Sequence, residues 1–116
     1  IQKSQEMLDY LRQADGIFCP NESTTYGMLV TLRKNKLVGD IKFVGFDSSV
    51  ELISALNKNE IHGLVVQNPF RMGYQGVHTV LEATRDGQVS ERIDTGVQLL
   101  TRENLNDPEI LQHLGE

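Results

Sequence analysis

Three short apolar runs, each closed by a polar residue and each followed by a helical pattern, constrain this chain more than any other feature. The runs are Gly16-Ile17-Phe18-Cys19, Ile41-Lys42-Phe43-Val44-Gly45-Phe46 and His62-Gly63-Leu64-Val65-Val66, and the polar residues that follow them are Asn21, Asp47 and Gln67. Runs of this length, bounded by turn residues, read as buried strands. Strands alternating with helices need crossovers, and right-handed crossovers produce a parallel sheet with helices on its faces. The expected class is α/β, a doubly wound parallel sheet in the order α, β, α, β, α, β, α, β, α. The carboxyl ends of such strands share one edge, which is where open α/β sheets bind ligands. Asn21, Asp47 and Gln67 are therefore expected to converge there as a ligand-binding site.

The helices between the runs follow from apolar spacing and end signals. Met7, Leu8 and Leu11 recur at helical spacing within residues 1 to 12, before Asp15-Gly16 breaks the pattern. A second helix is expected from Ser23 to Asn35, packed through Tyr26, Leu29, Val30 and Leu32. Asp47, Ser48 or Ser49 can cap a third, which carries Val50, Ile53, Ala55 and Leu56 and stops at Asn57-Lys58-Asn59. Pro69 suits the first turn of a longer helix with Phe70, Tyr74, Val77 and Leu81 on one stripe, closed by Asp86-Gly87. Residues 93 to 101 read as a fourth strand and Pro108 to Leu114 as a terminal helix. Because Ile1 falls inside a helical pattern and is not Met, an upstream part is expected.

One carboxylate between two amides offers donors and acceptors for a neutral, hydroxyl-rich molecule, with neither a nucleophile nor metal-ligand spacing. Each residue also has a plainer reading. Asn21 and Asp47 stand where helix caps or turns are needed, and those roles weigh about equally with binding. Gln67 has no such duty, and its matching position on a third strand strengthens the binding reading of all three. The Asn21-Glu22-Ser23 sequon is discounted at a strand end.

Other chemistries find little support. The net charge of -5 argues against a nucleic-acid surface, and the one basic cluster, Arg33-Lys34-Asn35-Lys36, falls where cations complement a helix end. A single cysteine, Cys19, allows no intrachain disulfide and no cysteine zinc site within the chain, and it reads as a small buried hydrophobe. His62, His78 and His113 lack paired metal spacing, and no glycine-rich loop cradles phosphate, so no cofactor is expected. A phosphoacceptor receiver domain has a similar length and an Asp at a strand end. It fails because Pro20-Asn21-Glu22 and Thr101-Arg102-Glu103 stand where an acidic pair and a Lys are required. No apolar stretch reaches the roughly 20 residues of a membrane span.

Several segments together carry a family resemblance. Asn21-Glu22 opening a helix with Gly27, then Val44-Gly45-Phe46-Asp47, then Val66-Gln67-Asn68-Pro69-Phe70 with Met72-Gly73-Tyr74, resembles the C-terminal part of type I periplasmic sugar-binding proteins of the ribose-binding-like group. Thr95-Gly96-Val97 with Leu100-Thr101-Arg102-Glu103-Asn104 resembles their closing segment. The resemblance implies an incomplete type I periplasmic binding protein fold. Residues 1–67 would be the latter part of the second lobe, 68–96 a segment returning to the first lobe, and 97–116 the recrossing strand and tail. It also implies that Asn21, Asp47 and Gln67 hydrogen-bond sugar hydroxyls, Asp47 as the acceptor of two.

The implied function is capture of a monosaccharide outside the cytoplasm and delivery to an ABC permease, without chemistry. The implied partners are the sugar, that permease and the upstream half of the same protein. Two alternatives share the fold: the effector-binding core of a lactose-repressor-type regulator, and the ligand-sensing domain of a membrane receptor. The segment from Gln67 to Tyr74 resembles the transporter group more closely. Alone, the chain is expected to self-associate, exchange segments or accompany the rest of the protein, because the stripe on its long helix would be left exposed.

Overall fold

The computed structural model describes residues 1–85 and 87–114, with the side chains of His113 and Leu114 outside the description. Its elements are α1 (Gln2–Glu6), α2 (Leu8–Leu11), β1 (Gly16–Phe18), α3 (Glu22–Lys34), β2 (Lys42–Phe46), α4 (Val50–Asn57), β3 (Gly63–Gln67), α5 (Pro69–Thr84), β4 (Val97–Leu100) and α6 (Pro108–Leu114). All the expected elements form, mostly within a residue or two of the expected bounds. The first helix breaks in two at Met7, whose backbone leaves helical geometry while its carbonyl accepts the Tyr10 and Leu11 N–H groups. The fourth strand is half the expected length. Asp86, expected to close α5, lies outside the described residues.

The sheet runs β1-β2-β3-β4 in space. The first three strands are parallel, with Phe18 beside Val44 and Phe46 beside Val65. β4 corrects the all-parallel expectation, since it pairs antiparallel with β3 and sets Val97 opposite Gln67. The reason lies in α5, none of whose residues is buried. A helix that packs on a sheet carries the chain back to the strands' starting edge, so the next strand runs parallel. Here α5 does not cover the sheet. The chain leaves at Gln67, returns beside it at Val97 and has only the reverse direction available.

One core holds these elements together. Leu29 and Leu32 from α3, Phe43 from β2, Leu52, Ala55 and Leu56 from α4, Leu64 and Val66 from β3, and Leu100 from β4 are all buried in it. α3 packs inward through Leu29 and Leu32 as expected, with Val30 half-buried, and the buried face widens to Thr25, Gly27, Met28 and Thr31, while Tyr26, expected on it, is exposed. On α4, Val50 is exposed and Leu52 takes the inner place. Cys19 is buried, and that burial raises its thiol pKa above the usual value. The expected stripe on α5 is present and faces solvent, with Phe70, Tyr74, Val77 and Leu81 all exposed. The radius of gyration, 17.5 Å, exceeds the roughly 13 Å of a compact domain of similar size, as an outlying α5 requires.

Candidate ligand-binding site

Parallel pairing of β1, β2 and β3 puts their carboxyl ends on one edge, with Asn21, Asp47 and Gln67 following or closing the three strands in turn. Adjacent strands lie about 4.8 Å apart, so the three positions span roughly 10 Å. That is the scale of one small molecule. The structure brings these residues to one edge, and their local environments differ in ways that separate capping from other roles.

Asn21 is the N-cap of α3. Its extended backbone, φ -160° and ψ 166°, turns the side chain over the first helical turn, where Oδ1 accepts the Thr24 N–H at 3.0 Å. The same oxygen accepts the Ser23 hydroxyl at 2.9 Å and the Thr24 hydroxyl at 3.0 Å. The capping reading thus holds for the oxygen. Nδ2 makes no hydrogen bond among the described residues, so with its oxygen engaged by Ser23 and Thr24 this exposed side chain is left as a donor.

Asp47 resolves the other way. The N-cap position of α4 belongs to Ser49, without a side-chain cap bond, so Asp47 is not the cap. Its backbone N–H extends the β2–β3 ladder to the Val65 carbonyl at 2.9 Å. Its φ of 70° lies in the left-handed region, which Asp tolerates better than most residues but which still costs energy. The half-buried carboxylate has no hydrogen-bond partner among the described residues. A strained residue presenting an unpaired carboxylate at a strand end is the pattern expected where function, not stability, selects the side chain.

Gln67 ends β3 half-buried, with no side-chain hydrogen bond among the described residues. The neighbouring cap duty is met by Asn68, whose Oδ1 accepts the Arg71 N–H at 2.8 Å, ahead of Pro69 in the first turn of α5. Gln67 therefore keeps both amide functions available at the edge, where the chain leaves the sheet and β4 enters it.

The other singled-out residues have structural roles. The His62 ring accepts the Phe43 N–H on Nδ1 at 3.1 Å, while the His62 backbone N–H donates to the Phe43 carbonyl at 2.7 Å. Burial first, and the Lys42 charge second, hold its pKa below the usual histidine value. His78 lies against the Tyr74 ring, with centroids 4.4 Å apart. Arg33 from the basic cluster pairs with Glu60, with Nε 3.1 Å from Oε2. Among the described residues no group of His, Cys, Asp and Glu is placed to hold a metal, and no helix is long and apolar enough to cross a membrane. An open groove runs along α5 between Met72, Gly76, Val80 and Ile93, away from the strand edge.

Residues 1–88 match the model of a periplasmic binding protein domain, about three quarters of the chain. The chain belongs to the periplasmic binding protein family. Its mixed, mainly parallel sheet is the type I fold of that family. Three solved structures are similar to it. A carbohydrate transporter solute-binding protein from Agrobacterium radiobacter, in complex with D-arabinose, is 33% identical with a TM-score of 0.85 over 96% of this chain and 38% of its own. An ABC transporter solute-binding protein from Agrobacterium vitis, with bound D-fucose, is 30% identical with a TM-score of 0.84 over 94% of this chain and 38% of its own. The periplasmic component of an ABC-type sugar transport system from Hahella chejuensis is 44% identical with a TM-score of 0.77 over 84% of this chain and 37% of its own. No curated protein matches. This periplasmic binding protein chain thus spans less than two fifths of the length of its structural relatives.

Sequence reasoning missed one residue of the site's framework, the buried Thr25. Its signal was indirect: Gly45, an isolated glycine inside a strand, marks a close approach by another element. A Cβ at Gly45 would fall 2.2 Å from Thr25 Cγ2.

Proposed function

We infer that this chain forms part of a two-lobed solute-binding protein, which holds a monosaccharide or similar polyhydroxylated molecule and delivers it to an ABC importer from outside the cytoplasm. Asp47 carries the reading. Its carboxylate is unpaired among the described residues, its backbone is strained, and it serves no helix cap, so a ligand hydroxyl is its natural partner. Asn21 Nδ2 and the Gln67 amide flank it with further donors and an acceptor. The three groups bind without reacting, because none is a nucleophile activated by a neighbouring base.

The sugars bound by the Agrobacterium relatives, D-arabinose and D-fucose, support the ligand class. In this reading residues 1–67 belong to the second lobe, 68–96 cross to the first, and 97–116 recross. The side-by-side exit at Gln67 and return at Val97, together with an α5 that buries nothing on this sheet, support that division. Ligand capture would then close the lobes as a hinge.

A hydrogen bond to a charged group contributes about 1.5–3 kcal/mol, which converts to roughly tenfold to a hundredfold in affinity. Calorimetry on the gene product carrying this chain, with a panel of pentoses and hexoses that includes D-arabinose and D-fucose, is expected to find a bound sugar. Asp47→Ala is expected to weaken it at least tenfold. A panel without binding, or an unchanged affinity in Asp47→Ala, overturns the proposal.

A further inference from the structure

Asn21 opens α3 and Asp47 follows β2, yet one buried hydroxyl ties the two segments together. Thr25 Oγ1 donates to the Asn21 backbone carbonyl at 2.8 Å and accepts the Phe46 backbone N–H at 3.0 Å. The threonine is fully buried. It stands where a strand would otherwise continue. Along the β1 side of β2, Lys42 N–H donates to the Asp15 carbonyl and the Val44 carbonyl accepts from Cys19 N–H, both at 3.0 Å. Phe46 offers the next N–H on that side, beyond the point where the chain has turned through Pro20 into α3. A hydroxyl suits this position because it donates and accepts at once.

A second observation is independent of these bonds. A Cβ at position 45 would fall 2.2 Å from Thr25 Cγ2 and 3.0 Å from Thr25 Oγ1, so the helix reaches the strand only because residue 45 is glycine. The strand gives up a side chain to admit the threonine.

We propose that Thr25 is the positioning residue of this edge: through the Phe46 peptide it fixes the left-handed turn that presents Asp47, and it locks that turn in register with the Asn21 cap. Its consequence for ligand binding rests on the proposed function above. Thr25 itself touches no ligand.

The test uses Thr25→Val, which keeps the shape and removes the hydroxyl, Thr25→Ser, which keeps the hydroxyl, and Gly45→Ala, which pushes the threonine away. Amide exchange at Phe46 and Leu64, and affinity for D-arabinose and D-fucose, are measured on the gene product carrying this chain. Thr25→Val is expected to speed Phe46 exchange at least tenfold, leave Leu64 protected and weaken sugar binding at least tenfold. Thr25→Ser should restore both, and Gly45→Ala should resemble Thr25→Val even if the latter folds poorly. In an Asp47→Ala background, Thr25→Val should add less than twofold to the loss of affinity. Unchanged Phe46 protection in Thr25→Val, or equal loss of binding in the Val and Ser variants, overturns the proposal. If the wild type binds neither sugar, the function reading fails for them, and Phe46 exchange alone still decides whether Thr25 sets the turn.

Discussion

Replacing Asp47 with glycine separates its structural from its functional role, because the two predict opposite changes. At φ 70° the residue occupies the left-handed region, which costs an ordinary L-residue about 1–2 kcal/mol. Asp pays somewhat less, so about 1 kcal/mol is recovered when glycine, free of a Cβ, takes its place. Against this, glycine adds about 0.4–1 kcal/mol of unfolded-state entropy. The net change in stability for Asp47→Gly is therefore about 0 to +0.6 kcal/mol. No native hydrogen bond of the side chain is lost, since the carboxylate has none among the described residues. Asp47→Ala keeps the strain without the local tolerance of Asp and is expected to lose up to about 1 kcal/mol, a melting shift of about 4 °C for a chain of this size. Thermal unfolding by circular dichroism and sugar calorimetry on the same preparations give the comparison. The expected result is a glycine variant as stable as wild type, or more so, that binds sugar at least tenfold more weakly. A glycine variant destabilised by more than about 1 kcal/mol with intact binding would show that the carboxylate holds the fold and would refute the argument.

Three further outcomes follow from the packing. Leu64 is fully buried at the centre of the core, so Leu64→Ala should cost about 2–5 kcal/mol in denaturant unfolding; a loss below 1 kcal/mol would mean the site collapses freely. His62 is held neutral in the fold, with its pKa below the unfolded value of about 6.5, so its contribution is fully present above that pH and is lost as pH falls from 6.5 through the folded value. Stability measured between pH 7.5 and 5 should fall more steeply in wild type than in His62→Gln, and equal slopes would sink the assignment. The exposed α5 stripe should make the isolated chain self-associate at high concentration, and the pair Val77→Asp and Leu81→Ser should reduce it; strictly monomeric light scattering from the unmodified chain would contradict this.

The strand edge that gathers the three candidate residues was legible because it depends on local chain order. A strand that ends in a polar residue and feeds a helix leaves that residue at the carboxyl edge in any right-handed crossover, so Asn21, Asp47 and Gln67 needed no coordinates to be singled out. Their individual states did need them. Asn21 turned out to spend its oxygen on the cap, and Asp47 was freed from capping because Ser49 holds that position, a choice among three adjacent polar residues that sequence leaves open. On α3 the expected inward face fails only at Tyr26, because a helix with apolar residues around much of its circumference fits more than one stripe and the sheet decides which is buried.

The sequence by itself determined the element types and their order, since apolar period, glycine and proline placement and capping chemistry all act within a few residues. It also determined that the long helix carries an apolar stripe. Only the tertiary structure decided that this helix leaves the sheet uncovered, and so that β4 runs antiparallel beside β3. Strand direction depends on where a chain has been between two strands, a non-local quantity that no local pattern encodes. The same holds for Thr25, whose hydroxyl meets a peptide 21 residues away through the gap left by a glycine.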